Sequence, residues 1–326
     1  MSGTTRAIRV HAHGGPERLR LEDVPLPPPG RGEVRVRHTA IGVNFIDTYH
    51  RSGLYPLPLP AVLGSEAAGV IEALGEGVHE LAVGARVGYC SAGPGAYATR
   101  RNVSASKLVP LPDHVSDELA AASMLKGMTV EFLVQRCFRV TEGMTVLWHA
   151  AAGGVGLLAC QWLSAMGVTV IGTVSTDDKA ALAKAHGCAH PIVTTREDFV
   201  LRVKELAPGK LPVVYDSVGK DTVHRSLDCL APRGLLVSFG NASGKPEPLE
   251  LLTLGQKGSL YVTRPSLMTY VASREELVAS ATTLFDAIGR GWVRPEVRHR
   301  YALADAAEAH RALEARETTG SIVLVP

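Results

Sequence analysis

A glycine-rich turn between an apolar run and an apolar helical segment is the first feature of this sequence that could bind a ligand. The run Thr145–His149 leads into the turn. Gly153 would let the backbone approach a pyrophosphate, and Gly156 would let the helix pack closely on the strand, while the helix start offers N–H groups to an anion. The match to G-x-G-x-x-G is imperfect, since Ala151 stands at the first glycine position, and an ordinary tight turn is the alternative. A second apolar run at 168–174 has the spacing of a βαβ unit and favours dinucleotide binding.

The end of that second run predicts which dinucleotide is bound. An NAD-binding unit usually places an acid there, about 20 residues past the glycines, where it accepts from the ribose hydroxyl. Here the run ends at Ser175, which can donate to a phosphate, and Lys179 can reach the same phosphate as a point charge. We therefore expect NADPH. The alternative is that Asp177 or Asp178, whose simpler role is to cap a helix beginning at Lys179, holds the ribose of NAD.

A third candidate segment, Phe239–Asn241, follows the fifth predicted strand. Ligands of open α/β sheets bind at the carboxyl ends of the strands. Gly240 would let the backbone approach a cofactor, and Asn241 could hydrogen-bond it. An ordinary strand-ending turn is the alternative.

Composition bounds the class of protein. The 326 residues suit two domains, and 46% hydrophobic with 20% charged residues suits a globular enzyme with a large core. A net charge of +2 gives no reason to expect nucleic acid. No apolar run approaches the roughly 20 residues that span a bilayer, and no signal peptide is recognised, so we expect a cytoplasmic protein. Five scattered cysteines without a C-x-x-C pair argue against a disulfide framework and a cysteine-rich zinc site.

The chain changes character along its length. Residues 1–124 read as short strands bounded by glycine turns, which suggests a partly open β-barrel. Residues 125–265 alternate continuous apolar runs with helices, as a doubly wound parallel sheet does, and the run 259–263 should be its sixth, edge strand. Residues 266–326 end in a strand at 321–325 that we expect to return to the first domain.

Several motifs together resemble the zinc-independent quinone oxidoreductases, or zeta-crystallin-like enzymes, of the medium-chain dehydrogenase/reductase superfamily. The motifs span nearly the whole chain in order: Ile41–Tyr49, Arg51–Tyr55, Gly64–Gly69, His149–Gly156, Val214–Gly219, Ser238–Asn241 and Thr263–Leu267. The resemblance implies an α/β protein with a GroES-like catalytic barrel, a Rossmann domain that binds NADPH, and homodimers. It also implies hydride transfer in the cleft between the two domains.

The zinc-dependent alcohol dehydrogenases of the same superfamily provide a contrast. They carry a cysteine where this chain has Asn44, and a histidine where it has Ser65. A neutral amide and a hydroxyl are poor zinc ligands, and Glu66 alone does not hold zinc. The four-cysteine loop of a structural zinc site is also missing after Tyr89. We therefore expect no metal.

The resemblance assigns roles to individual residues. Asn44 and Tyr49 resemble the residues that line the nicotinamide pocket, where an amide and a phenol could hold a carbonyl oxygen. Alternatively Asn44 only satisfies loop backbone and Tyr49 only packs. Close relatives carry a tyrosine where this chain has Thr195, so one adenosine contact is lost. The cofactor-contacting residues implied are Asn44, Lys126, Thr129, Gly153, Gly154, Val155, Ser175, Lys179, Ser217, Phe239, Gly240, Asn241, Arg264 and Arg316.

The resulting hypothesis is an NADPH:quinone oxidoreductase that forms homodimers through the edge strand near 259–263. One alternative is an NADPH-dependent reductase of conjugated enals or enones. The other is a nucleotide-binding protein whose catalysis is incidental.

Overall fold

The computed structural model describes residues 3–326 and divides the chain into two compact units. The first unit contains residues up to 128 together with 271–289 and 295–326. The second contains residues 129–270 and 290–294.

The strands and helices follow in chain order. The strands are β1 Gly3–Val10, β2 Arg20–Leu26, β3 Glu33–Val43, β4 Ala61–Val62, β5 Glu66–Leu74, β6 Arg86–Tyr89, β7 Arg100–Ser104, β8 Val109–Pro110, β9 Thr145–Trp148, β10 Thr169–Val174, β11 His190–Val193, β12 Leu211–Asp216, β13 Leu230–Ser238, β14 Tyr261–Thr263, β15 Val297–Ala302 and β16 Ser321–Val325. The α-helices are α1 Phe45–Ser52, α2 Asp117–Glu131, α3 Gly154–Ala165, α4 Asp177–Ala185, α5 Phe199–Leu206, α6 Val223–Ser226, α7 Leu251–Gln256, α8 Leu267–Tyr270, α9 Arg274–Gly289 and α10 Ala306–Glu314. Shorter 3₁₀ turns lie at Pro16–Arg18, Ala105–Lys107, Leu227–Cys229 and Leu303–Asp305, and a π-helical turn at Phe132–Cys137 extends α2.

The first unit is built from largely antiparallel sheets. One has the order β2-β1-β4, and the other has the order β15-β16-β3-β5-β6-β8 with β7 also on β3. The long strand β3 pairs with β5, β7 and β16, and buries alternate side chains such as Val34 and Val36 as its sequence pattern predicts. The last strand therefore closes this unit by pairing Ile322 with Val43.

The second unit is a parallel sheet with the order β11-β10-β9-β12-β13-β14. Numbered within the unit, this is the 3-2-1-4-5-6 order of the doubly wound dinucleotide-binding fold, so the predicted Rossmann architecture is confirmed. Its central strands are continuous apolar runs because helices cover both faces. The carboxyl ends of β9, β10, β12 and β13 lie along one edge of this sheet.

Two details differ from the sequence-based expectations. The helix expected from Lys179 begins at Asp177, and its N-cap is Thr176, whose side chain accepts from the Lys179 N–H. The edge strand is shorter than 259–263, because Ser259 adopts φ +57° and Leu260 is buried in the core. Lys126 lies inside α2, nine residues after the start of this helix at Asp117.

Among residues 3–326, no helix is long and apolar enough to cross a lipid bilayer.

Candidate functional site

The glycine-rich turn forms the N-terminus of α3 as the sequence predicts. Gly153 is the N-cap residue, with extended backbone (φ −76°, ψ 171°), and Gly154 and Val155 form the first helical turn. A Cβ on Gly156 would lie 2.3 Å from the Ala150 carbonyl oxygen, so only glycine fits there. The turn thus presents its first N–H groups at the carboxyl end of β9, where an anion can be bound.

A buried imidazole ties this turn to two neighbouring strands. His149 Nδ1 lies 3.0 Å from Thr173 Oγ1 at the end of β10, and His149 Nε2 lies 2.9 Å from Ser226 Oγ. Ser226 in turn donates to Asp216 Oδ2 at 3.1 Å. The other oxygen of Asp216 accepts from the N–H groups of the loop that follows β12, at 2.9 and 3.0 Å. One hydrogen-bonded network therefore joins the carboxyl ends of β9, β10 and β12.

Ser175 and Lys179 lie together at the tip of β10. The Lys179 Nζ is 3.4 Å from Ser175 Oγ, and Thr195 Oγ1 donates to the Ser175 carbonyl at 3.1 Å. This arrangement places a hydroxyl and an ammonium side by side, as a phosphate-binding pair requires.

The ends of β12 and β13 bring a second group of predicted residues together. A Cβ on Gly240 would lie 2.4 Å from the Ser217 carbonyl oxygen, so the two loops touch through backbone. Arg264 Nη1 donates to Gly240 O at 2.8 Å and to Ser238 Oγ at 3.1 Å. The Asn241 amide is oriented so that its NH₂ group donates to Gly240 O and its oxygen accepts from Arg264 at 3.2 Å. Arg264, which follows β14, therefore holds the loop after β13 in place.

In the first unit, a buried carboxylate joins the amide and the ammonium that the sequence singled out separately. Asn44 Nδ2 donates to Glu66 Oε2 at 2.9 Å, and Lys126 Nζ lies 3.7 Å from the same oxygen. Glu66 Oε1 accepts from the Leu125 N–H at 2.6 Å. All of these side chains are buried, and Gly42 makes room for them, since a Cβ there would lie 2.5 Å from Glu66 Oε2.

The electrostatics of Glu66 explain why its partners are needed. Burial raises the pKa of Glu66, and the Lys126 charge together with the donors from Asn44 and Leu125 act to lower it. Each contact to the carboxylate is a donor, so the arrangement suits the ionised form. The sequence indicates only that partners are needed, since an acid in an apolar strand and a lysine in an apolar helix both require them, and it does not identify which residues these are.

Asp47 anchors the same loop from the other side. It accepts from the Asn44 N–H at 2.9 Å, from Ser65 Oγ at 2.7 Å and from the Tyr97 hydroxyl at 3.0 Å. Burial raises the pKa of Asp47 to about 6, against these three hydrogen bonds. The Ser65 hydroxyl therefore serves Asp47 at the position where the zinc-dependent enzymes supply a ligand.

The direction of each hydrogen bond beyond Tyr97 can be assigned. Arg51 donates to His310 Nδ1 at 3.1 Å, so this nitrogen is an acceptor and Nε2 carries the proton. His310 Nε2 then donates to the Tyr97 oxygen at 3.0 Å, and the Tyr97 hydroxyl proton is left for Asp47. Arg51 also holds Glu314 with two bonds, at 2.5 and 3.0 Å. This network fixes α1 against α10.

Two buried neutral histidines predict sensitivity to acid. Burial lowers the pKa of His310 to about 3 and that of His38 to about 4. Because the unfolded chain takes up these protons first, the stabilisation is complete above about pH 6.5 and is lost as the pH falls toward the folded values. We expect the free energy of unfolding to fall by about 2–3 kcal/mol per histidine between pH 7.5 and 4.5. Asp47 acts with the opposite sign, since its raised pKa makes its contribution fall as pH rises from 3.8 to about 6.

Urea unfolding across this pH range tests the expectation. His310→Gln should flatten the pH dependence of the free energy of unfolding, whereas replacement of the exposed His190 by glutamine should leave it as in the wild type. An unchanged slope in the His310 variant would contradict the assignment.

The remaining predicted residues occupy separate places. Tyr49 lies on α1 and packs edge-on against Tyr55, with ring centroids 5.1 Å apart. Thr129 is the first residue of the second unit, and Arg316 follows α10 in the first unit with φ +60°. Tyr55, the ring that contacts Tyr49, was not among the predicted site residues, although it ends the motif Arg51–Tyr55.

The second unit fits a bound dinucleotide phosphate. The N-terminal turn of α3 suits a pyrophosphate, and the Ser175–Lys179 pair suits a further phosphate. Gly240 lets the loop after β13 pack directly on the Ser217 backbone beside them. Among residues 3–326, no group of three or more histidine, cysteine, aspartate or glutamate side chains could hold a metal ion.

Comparisons with known proteins agree with this geometry. Residues 30–113 match the family model described as alcohol dehydrogenase GroES-like domain, and residues 154–282 match that described as zinc-binding dehydrogenase. The chain is 55% identical over 323 residues to a quinone oxidoreductase of Pseudomonas aeruginosa, covering 98% of this chain and 99% of that protein. It is 45% identical to a 2-haloacrylate reductase of a Burkholderia species, covering 98% of each.

A solved structure gives the same relationship in three dimensions. The Escherichia coli quinone oxidoreductase complexed with NADPH superposes with a TM-score of 0.97 at 49% identity, covering 98% of this chain and 100% of that chain. The GroES-like and Rossmann prediction is therefore confirmed. The chain belongs to the quinone oxidoreductases of the medium-chain dehydrogenase/reductase superfamily.

Proposed function

We propose that this chain is an NADPH-dependent quinone oxidoreductase that works without a metal ion. The observation that carries the proposal is the convergence of three features at the carboxyl edge of one parallel sheet. These are the α3 glycine turn, the Ser175–Lys179 pair and the loop braced by Arg264. The names and the NADPH complex of its relatives support the same reading.

The residues of the first unit supply binding and orientation. When bound, NADPH would provide a hydride from its nicotinamide ring. Asn44 uses one amide N–H for Glu66 and retains a second that we propose holds a substrate oxygen. The Lys126 ammonium adds positive charge beside this amide, where negative charge develops on reduction. A quinone is already electrophilic and yields a stable aromatic product, so positioning carries much of the rate.

Oxidation of NADPH with a panel of small quinones and a matched panel of enals and enones tests this function. We expect the quinones to give the higher kcat/KM. The resemblance to a 2-haloacrylate reductase favours one second candidate, the reduction of conjugated double bonds. Faster turnover of the enone panel would select that candidate instead.

Lys179→Ala should raise the KM for NADPH about 10- to 100-fold, because it removes a charge-assisted bond to the 2′-phosphate. The KM for NADH should change little, since NADH has no group at that position. Steady-state kinetics with both cofactors measures the effect. Equal changes in both constants, or a wild-type preference for NADH, would show that the phosphate binds elsewhere.

We also propose a homodimer through the edge strand β14. Tyr261 and Val262 are 60% and 37% exposed on this strand, and an unpaired edge of this kind favours association with a second chain. Leu260, which was expected in the same interface, belongs to the core instead. Sedimentation at micromolar concentration should give a dimer, and Val262→Lys should shift it toward monomer. Val83→Lys at another exposed site is the control, and a monomeric wild type would contradict the proposal.

We also propose that residues 1–124 and 266–326 form the catalytic part of the enzyme and that residues 125–265 bind the cofactor. A cytoplasmic location stays a prediction.

A further inference from the structure

The acids that follow β10 pose a problem for NADPH binding. Asp177 and Asp178 open α4 directly after the strand tip that carries Ser175. An acid in this region of a dinucleotide-binding unit accepts a bond from the ribose of NAD and repels a 2′-phosphate. A chain that uses NADPH must therefore neutralise or withdraw such a carboxylate.

An arginine from the neighbouring loop does this for Asp177. Arg196 Nη1 donates to Asp177 Oδ2 at 2.6 Å. The loop that carries Arg196 is fixed beside the tip of β10, because the Thr194 N–H donates to Val174 O at 2.9 Å and Thr195 Oγ1 donates to Ser175 O. The guanidinium is thus delivered to this place by the end of β11.

Glu197, the acid that follows Arg196 in the chain, has partners of its own. Glu197 accepts from the Val193 N–H at 2.9 Å, and Arg202 Nε lies 3.2 Å from its second oxygen. The pKa of Arg196 is raised mainly by its hydrogen bond to Asp177, and the Glu197 charge adds to this to a smaller degree.

The pair is too exposed to serve mainly for stability. The side chains of Arg196 and Asp177 are 57% and 72% exposed, and ion pairs of this kind contribute little to folding. The hydrogen bond from Arg196 nonetheless lowers the pKa of Asp177, in keeping with the short contact between them. The pair therefore matters for the charge that a ligand meets beside Ser175 and Lys179.

We propose that Arg196 is a cofactor-selectivity residue. By pairing with Asp177 it keeps that carboxylate from the ribose and leaves Ser175 and Lys179 to bind the 2′-phosphate. This inference rests on the proposed NADPH-dependent function. It adds Arg196, from the loop after β11, to Lys179 at the start of α4 as a residue that selects the cofactor.

A double-mutant cycle in cofactor binding tests the proposal. Dissociation constants for NADPH and for NADH are measured by fluorescence titration of the full chain, without substrate. Arg196→Ala should lower the preference for NADPH about fivefold, because Asp177 is released. In the double variant with Asp177→Ala the preference should return close to the wild-type value. If Arg196→Ala has the same effect with and without Asp177, or has none, the proposal is overturned.

Two comparisons make the outcome specific. Asp178→Ala changes the same charge in the same helical turn, and we expect its effect to be additive with that of Arg196→Ala. Coupling of equal size at Asp178 would also overturn the proposal. The wild-type preference alone tests the proposed function, since a wild type that binds neither cofactor or prefers NADH contradicts that function whatever the cycle gives.

Discussion

Replacing Gly156 with alanine is expected to weaken NADPH binding about 100-fold, the largest effect we predict in the second unit. The added Cβ would lie 2.3 Å from the Ala150 carbonyl oxygen and 2.7 Å from two backbone atoms of Ala151. These are backbone neighbours, so the turn itself must move, and overpacking of this kind costs about 1–3 kcal/mol. The displaced N–H groups no longer converge on the pyrophosphate. Fluorescence titration with NADPH measures the loss.

Two variants calibrate this result. Gly153→Ala should weaken binding far less, because its Cβ would meet only Ala150 O, at 3.2 Å. Gly209→Ala should leave binding unchanged, because its Cβ meets nothing within 4 Å. Thermal unfolding shows whether each variant is folded. A folded Gly156→Ala variant that binds NADPH within twofold of wild type would contradict the assignment of the turn.

Glu66→Gln is expected to lower kcat/KM for a quinone about 100-fold and the free energy of unfolding by about 3 kcal/mol. The glutamine has nearly the same shape, but its NH₂ group must face either the Leu125 N–H or the Asn44 amide, both of which are donors. The Lys126 ammonium also loses its buried counter-charge. Steady-state kinetics and urea unfolding measure the two effects.

Combination variants separate orientation from mere stability. If Glu66 acts by holding the Asn44 amide, Glu66→Gln should cause little further loss of activity in an Asn44→Ala background. Adding Lys126→Met to Glu66→Gln should recover stability, because no charge is then buried alone, but should not recover activity. Fully additive losses of activity would contradict the positioning role.

The Rossmann unit could be predicted from the sequence because its signals are local. Continuous apolar runs, a glycine turn and helix spacing all lie within short windows, and the observed sheet has the sixth strand at its edge as they predict. Element ends were less predictable. The α4 cap moved from the acids to Thr176, since a threonine hydroxyl one residue earlier competes for the same N–H.

The contacts that assemble the candidate site lie far apart in sequence and could not be predicted from it. Glu66 looked like a lone carboxylate until α2 placed Lys126 beside it. His149 read as part of a motif, and its bonds to Thr173 and Ser226 depend on how three strands align. Arg196 carried no signal of its own, because its partner Asp177 is reached only through the pairing of β10 with β11.

Oxidation of NADPH deuterated at the nicotinamide C4 position, measured on enzyme treated with a chelator, tests the central claim most directly. We expect the metal-depleted chain to oxidise one NADPH per quinone under anaerobic conditions, at the untreated rate and with a kinetic isotope effect from the deuterium. Loss of activity on chelation that added zinc restores, or no oxidation of NADPH by any quinone, would contradict it.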